Sequence, residues 1–197
     1  DMAIIGIDLG TTNSLATIWK NGQAVVIRNS LGDVLTPSVV GVDDNGEILV
    51  GKVASERLVS APDKTAAEFK RQMGTSAKIN LGGKSFSPEQ LSSLVLKKIK
   101  QDVEAFLGEE IEEAIISVPA YFDDKRRSAT KAAAEMSGLK VERLINEPSA
   151  AALAYLQKNG YKDGTYMVVD FGGGTLDVSI IDSFDSVMEI LAVAGDN

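Results

Sequence analysis

The sequence predicts a mixed α/β fold, in which an antiparallel strand meander is extended by parallel crossover strands with flanking helices and a small inserted subdomain. Three observations carry that expectation. Three strand-like runs open the chain in quick succession, separated by tight turns. From Ala114 the pattern becomes strand, helix, strand, helix, the order that builds parallel crossover units. From Tyr166 the opening three-strand rhythm begins again.

In chain order, Ala3 to Asp8, Ser14 to Trp19 and Ala24 to Arg28 are apolar, β-branched runs of strand length. Gly10-Thr11-Thr12 joins the first two. Asn21-Gly22 joins the last two, a strong hairpin signal between apolar runs. Thr36-Pro37-Ser38 breaks the pattern, and Val39 to Val42 with Ile48 to Val50 form a second hairpin around Asp43-Asp44-Asn45-Gly46. Val53 to Val59 is expected as a short helix ended by Ser60-Ala61-Pro62. A stretch with few apolar anchors follows, from Asp63 through Glu68-Phe69-Lys70-Arg71-Gln72-Met73-Gly74. Lys78 to Leu81 and Lys84 to Phe86 make short strands around Gly82-Gly83.

Ser87-Pro88-Glu89-Gln90 starts a helix, with Ser87 as N-cap, Pro88 at the first helical position and a carboxylate near the positive end. Leu91, Leu94, Val95, Ile99, Val103 and Phe106 fall on one side of it, and it closes near Gly108. Ala114 to Val118 reads as a short buried strand and Asp123 to Ser137 as an Ala-rich helix ended by Gly138. Val141 to Ile145 is a strand, Pro148 to Lys158 another Ala-rich helix, and Asn159 to Thr165 a polar connection. Tyr166 to Asp170, Thr175 to Ile181 and Val187 to Ala194 then repeat the opening meander.

A chain of 197 residues, 44% hydrophobic, can bury one large core or two small ones. Its net charge of -8 argues against general affinity for nucleic acid or anionic membrane. There is no Cys, which excludes disulfides, thiolate catalysis and cysteine metal sites. There is no His, which removes Ser-His and Cys-His catalysis and the usual zinc sites. Chemistry is left to Asp, Glu, Lys, Thr or a metal-bound water. No signal-peptide pattern opens the sequence and no apolar run reaches the length of a membrane span, so a soluble cytoplasmic protein is expected.

Two stretches carry the chemistry: Asp8 to Ser14, reading Asp-Leu-Gly-Thr-Thr-Asn-Ser, and Asp170 to Asp177, reading Asp-Phe-Gly-Gly-Gly-Thr-Leu-Asp. Each follows an apolar run and leads straight into another. Gly lets backbone N–H groups approach phosphate oxygens, Thr adds a hydroxyl donor, and the Asp would repel phosphate unless Mg²⁺ or its waters lay between them. The pair reads as two halves of one nucleotide clamp. Asp-Gly and Gly-Gly are also ordinary hairpin turn residues, and it is the repetition after two strands that favours the clamp. It is not a Walker A loop, because no Gly-Lys-Ser/Thr follows and both motifs run into strands, where a P-loop runs into a helix.

A family resemblance is carried by Val118-Pro119-Ala120-Tyr121-Phe122-Asp123-Asp124-Lys125-Arg126-Arg127-Ser128-Ala129-Thr130-Lys131, by Ala133-Ala134 and Gly138-Leu139, and by Ile145-Asn146-Glu147-Pro148-Ser149-Ala150-Ala151-Ala152. With the two clamp motifs, these make the chain similar to the amino-terminal part of the ATPase domain of DnaK-type heat-shock chaperones. Those proteins belong to the actin and sugar-kinase superfamily. The segment between Gly74 and Phe86 resembles that of an HscC-like branch. The resemblance implies a ribonuclease H-like, actin-type ATPase lobe over residues 1–163, with the small subdomain inserted at about 38–86. Residues 164–197 would then be the opening strands of a second lobe that is truncated here.

The resemblance also implies roles. Gly10, Thr11, Thr12 and Asn13 match the family's first phosphate loop, and Gly172, Gly173, Gly174 and Thr175 its second. Asp8 and Asp170 match carboxylates that hold Mg²⁺ through waters, and Asp177 is a further candidate for the metal or cation shell, with K⁺ as a second cation. Lys70 matches the lysine that reaches the γ-phosphate and the attacking water, and Glu147 and Thr175 match residues near that water. Phosphoryl transfer needs mostly placement and charge neutralisation, so this set suffices without His. Without the family match Lys70 would pass for a solvated surface lysine and Glu147 for the first-turn acid of a helix. Pro119 and Arg127 match a relay between nucleotide state and the rest of the molecule. Leu176 stands where an aromatic is usual and Leu156 where Gly is common.

The implied parent is an ATP-hydrolysing chaperone that binds ATP or ADP, peptide or unfolded clients, and cochaperones. Two other readings stay open. One is a small-molecule kinase of the same superfamily, with a substrate hydroxyl in place of water; the other is a non-enzymatic, actin-like assembling fragment. An open strand edge and an apolar face around Val187, Ile190, Leu191 and Val193 predict self-association and weak ATP binding for the isolated chain.

Overall fold

The computed structural model describes residues 4–20, 23–118, 122–141, 144–146, 164–172, 175–184 and 187–196. Strand β1 (Ile4–Leu9) pairs antiparallel with β2 (Asn13–Lys20), and β2 pairs antiparallel with β3 (Gln23–Ile27). This is the expected meander. The break expected at Thr36-Pro37-Ser38 contains a two-residue strand, β4 (Thr36–Pro37), paired with Asn13 and Ser14 at the start of β2. Pro37 is tolerated there because so short a strand needs few ladder hydrogen bonds.

Two small sheets follow. β5 (Val40–Val42) lies between β6 (Ile48–Val50) and β7 (Thr65–Ala66), and β8 (Ile79–Leu81) pairs with β9 (Lys84–Phe86). Helix α1 (Lys52–Ser55) is shorter than the Val53 to Val59 helix the sequence suggests. Val59 is 93% exposed, so the second half of that segment has no apolar face to bury and no packing to sustain it. The stretch that looks poor in anchors buries both Phe69, the first residue of a 3₁₀ turn at Phe69–Gln72, and Met73 just after it.

Helix α2 (Pro88–Leu107) begins where the sequence places it, and its start is a full capping box. Ser87 Oγ accepts from the Gln90 N–H at 3.1 Å, while Gln90 Oε1 accepts from the Ser87 N–H at 2.8 Å. Leu91, Val95, Leu96, Ile99 and Val103 are buried against the sheet. Phe106 is 51% exposed; Leu107, four residues after Val103, is the partly buried residue that packs against the core in its place. Gly108 closes the helix in the left-handed region, donating to Glu104 O at 2.8 Å.

Strand β10 (Glu113–Val118) lies parallel to β1, and helix α3 (Asp124–Met136) returns the chain to β11 (Leu144–Asn146), parallel to β10. The sheet order is therefore β11-β10-β1-β2-β3, the crossover pair added to the meander. Every residue of β10 from Ala114 to Val118 is buried, as a strand covered on both faces requires. Ala133 and Ala134 of α3 are fully buried, and their small side chains let the helix approach closely. Of the strand expected over Val141 to Ile145, residues 142 and 143 lie outside the described residues; ahead of β11, Lys140 makes an isolated parallel bridge to Glu113. The expected helix Pro148 to Lys158 lies outside the described residues, as do Pro119 and Ala150 to Ala152.

The second meander is present as β12 (Gly164–Gly172), β13 (Thr175–Phe184) and β14 (Val187–Asp196), all antiparallel. No helix among the described residues is long and apolar enough to cross a membrane.

Two residues fasten the helices to the chain around them. Glu104 of α2 accepts from Lys100 Nζ at 2.9 Å and from the Ile111 N–H at 3.1 Å, tying the helix end to the approach of β10. Burial works to raise its pKa, but the lysine, the Ile111 N–H and the lysine's charge outweigh it and hold the carboxyl below its ordinary value. Gly74 sits at φ 76° with its backbone against α3: a Cβ there would lie 3.1 Å from Lys125 C and 3.2 Å from Arg126 N. Its N–H donates to Glu89 Oε1 of α2 at 3.0 Å.

A carboxyl with a lowered folded-state pKa stabilises the fold above its unfolded pKa, and that contribution is lost as pH falls through the folded value. Glu104→Gln is therefore expected to flatten the acid limb of stability against pH, measured by urea unfolding from neutral pH down through the carboxylate range. Gly74→Ala combines a left-handed backbone with a backbone clash, and is expected to cost about 1–3 kcal/mol in the same unfolding measurement.

Candidate functional site

The first clamp motif is the turn between β1 and β2. Asp8 is the register partner of Ser117 on β10, so its carboxylate comes to the carboxyl end of the central strand pair. It is 7% exposed, and Ser117 Oγ donates to its Oδ1 at 3.2 Å. After Leu9 the chain turns so tightly that a Cβ on Gly10 would collide with the Asn13 carbonyl oxygen. The loop is pinned from behind by Ser38. Its Oγ donates to Gly10 O at 2.8 Å, its N–H donates to Thr12 O at 2.8 Å, and its hydroxyl shares a 2.8 Å hydrogen bond with Ser14 Oγ. Both serines are buried. Thr11 and Asn13 are half-buried and Thr12 is exposed.

Lys70 reaches the same region from the small sheets. Its 3₁₀ turn is preceded by Glu68 in the left-handed region at φ 58°, a conformation that costs free energy in a residue with a Cβ. Phe69 below it is 3% exposed and Met73 after it 1%, with Ser92 Oγ of α2 at 3.3 Å from Met73 Sδ. The turn is thus fastened to the core at both ends. Lys70 itself is only 6% exposed, so it is not the solvated surface lysine that its sequence neighbours suggest. Its Nζ lies 5.6 Å from the centroid of Phe122, the residue just ahead of α3. Arg126, in the first turn of α3, places Cζ 5.8 Å from the same centroid. The N-cap Asp123 accepts from the Arg126 N–H at 2.9 Å and fixes that turn.

Thr11, Lys70, Arg71, Phe122 and Arg126 line a cavity of about 220 Å³. Arg71 differs from the other two cations: its side chain is 69% exposed and pairs with Glu68 at 3.5 Å. On the other side of the loop, Thr11, Thr12 and Asn13 border a larger cleft of about 490 Å³, together with Pro37, Val39, Leu58 and Glu68. Three cationic side chains border one cavity beside a Gly-Thr loop, and a cluster of positive charge of this kind can attract a multiply charged anion.

The structure thus brings together Thr11 and Lys70, with Gly10, Thr12 and Asn13 in the same loop and Asp8 at its base. The second motif spans β12 and β13, where Asp170 is the register partner of Asp177 and Gly172 of Thr175. Strand β12 comes within contact distance of β2. The side chains of Asp170, Thr175 and Asp177 lie outside the described residues, as do Glu147, Gly173 and Gly174. Among the described residues no three acidic side chains cluster to hold a metal directly. Four contributors escaped the sequence reading: Ser38, Ser117, Phe122 and Arg126. Ser38 hid in a segment read as a break. Phe122 and Arg126 stood inside the quoted motif, but nothing in their spacing shows that α3 would carry them against Lys70.

A family model described as Hsp70 protein matches residues 4–80 and 75–197, which takes in both clamp motifs, the Lys70 turn and the β10 to α3 segment. With that match running from β1 through β14, the chain belongs to the Hsp70 family of heat-shock chaperones and is part of a chaperone's ATP-binding domain.

Proposed function

We propose that the chain binds Mg·ATP between its two glycine loops and supports hydrolysis of the γ-phosphate, as lobe one (1–163) and the first strands of lobe two (164–197) of an actin-type ATPase domain. The observation that carries this reading is the burial of Lys70 beside Thr11 in a cavity of about 220 Å³. At 6% exposure Lys70 presents a fixed cation to that cavity, and a phosphate group is an anion such a cation can recognise.

In this reading Gly10 to Asn13 cradle the phosphates, with the loop held open by Ser38. Lys70 neutralises charge on the γ-phosphate and orients the attacking water, and Glu147 holds that water from the opposite side. As the water oxygen bonds to phosphorus, the bond to the bridging oxygen of ADP breaks, and ADP and phosphate leave. Mg²⁺, when bound, offsets charge on the β- and γ-phosphates. The residues fit that ion. Asp8 offers a carboxylate at the base of the loop, held by Ser117, and an oxygen donor reaching the ion through water suits a cation that dehydrates reluctantly. Asp170 and Asp177 would complete the shell from the second motif, where K⁺ is a further candidate. Coupling of ATP turnover to a peptide site, and action in the cytoplasm, follow from the same reading of the parent protein.

Phosphate release from Mg·ATP is expected without any added sugar or other alcohol, whereas strict dependence on such an acceptor would favour a kinase. Lys70→Ala is expected to lower the release rate about 100-fold or more while changing Mg·ATP affinity by less than about tenfold. Equal rates for the variant and the wild type would remove Lys70 from the chemistry.

A further inference from the structure

We propose that Asn29 is a positioning residue for the first phosphate loop, acting through Thr36 on the backbone of Asn13 and Ser14. The inference rests on the nucleotide reading above and adds a residue to which that reading gives no role.

Strand β4 is only two residues long, and it pairs with Asn13 and Ser14, where the phosphate loop passes into β2. So short a strand has too few ladder bonds to hold its own place, and whatever grips its ends sets its position. Beyond it, Ser38 bonds to Gly10, Thr12 and Ser14. Ahead of it, the grip is Asn29. Its Oδ1 accepts from the Leu31 and Asp33 N–H groups, both at 3.0 Å. Its Nδ2 donates to Leu35 O at 3.3 Å and to Thr36 Oγ1 at 3.1 Å. The partners fix which end of the amide is which, since N–H groups face one end and a carbonyl the other. One side chain thus closes the turn after β3 and holds the first residue of β4.

Thr36 is 5% exposed and is held by more than its hydroxyl. A Cβ on Gly51 would lie 3.3 Å from Thr36 Cγ2, so the methyl group sits close to the Gly51 backbone. The Asn29 turn is in its turn fastened to the core through α2. Lys98 Nζ donates to Ser30 Oγ at 3.0 Å and to the buried Asp102 Oδ1 at 2.8 Å. Contacts therefore run from α2 to the Asn29 turn, to Thr36, and on to the end of the phosphate loop. In the nucleotide reading that loop cradles phosphates present in both ATP and ADP. Loosening it weakens both nucleotides together and leaves the Lys70 chemistry in place.

The test is a double-mutant cycle on this chain with Asn29→Ala, Thr36→Val and the two combined. Calorimetry gives the affinities for Mg·ATP and Mg·ADP, phosphate release at saturating Mg·ATP gives the rate, and the melting temperature of each unliganded chain reports folding. Asn29→Ala is expected to weaken both nucleotides about fivefold, with the saturated rate within about twofold of the wild type. Thr36→Val keeps the branched shape and the strand pairing but removes the hydroxyl, and a similar loss is expected. Because both changes break one contact, the combined variant is expected to lose no more than about twofold beyond either alone. If Asn29→Ala does not fold, Thr36→Val carries the same expectation by itself. A lower melting temperature with wild-type affinities would make Asn29 merely structural and overturn the inference. Losses that multiply in the combined variant, or a loss for ATP alone, would overturn it too and leave nucleotide binding standing. A wild type that binds neither nucleotide would overturn the nucleotide reading and this inference with it.

Discussion

Strand β1 is held on both edges, antiparallel by β2 and parallel by β10, and the geometry of the candidate site is set from it. The parallel register puts Asp8 opposite Ser117, and the antiparallel register puts Leu9 opposite Ser14. A one-residue slip would send Asp8 to the other face of the sheet and bring an apolar neighbour to the base of the loop. The burial of Ile5, Ile7 and Ile116, all near zero exposure, makes that slip prohibitive. The hydrophobic core thereby aims a carboxylate.

The Lys70 turn reaches this frame along a different route. It comes off the small sheets and would be free to swing if only its own strands held it. Met73 in the core, Gly74 on Glu89 and Gly74 against α3 remove that freedom. The cost of the arrangement is visible in Glu68, the one non-glycine residue with positive φ among the described residues. Strain of this kind persists where the surroundings over-determine the backbone, and here they do so on three sides. Packing supplies the free energy, and the product is a buried cation at a chosen place.

Much of the fold was legible in the sequence because its signals are local. The Asn45-Gly46 turn, a Ser-Pro helix start, a glycine stop and the change of period at Ala114 each depend on a few neighbouring residues, while the Asn21-Gly22 turn lies outside the described residues. The exceptions are instructive. Val53 to Val59 carries a helical look, yet nothing packs on its second half, and tertiary context decided its length. Phe106 fits the apolar stripe but sits in the last turn, where the partly buried Leu107 packs against the core instead. For the candidate site, the Gly-Thr loop was readable from its motif, while the burial of Lys70 was not, because it comes from helices α2 and α3, distant in sequence. Ser38 and Arg126 were invisible for the same reason: a single serine or arginine carries no period and no spacing.

Ser38 lies between β4 and β5, on the path that leads into the first small sheet, and it grips the loop at Gly10, Thr12 and Ser14 together. Those bonds form a tether shared by two parts of the molecule. A tilt of the small sheet would pull on the turn after β1, and a ligand that tightened the turn would pull back with equal force. The geometry of the cradle and the attitude of the small sheet are in that sense a single mechanical variable.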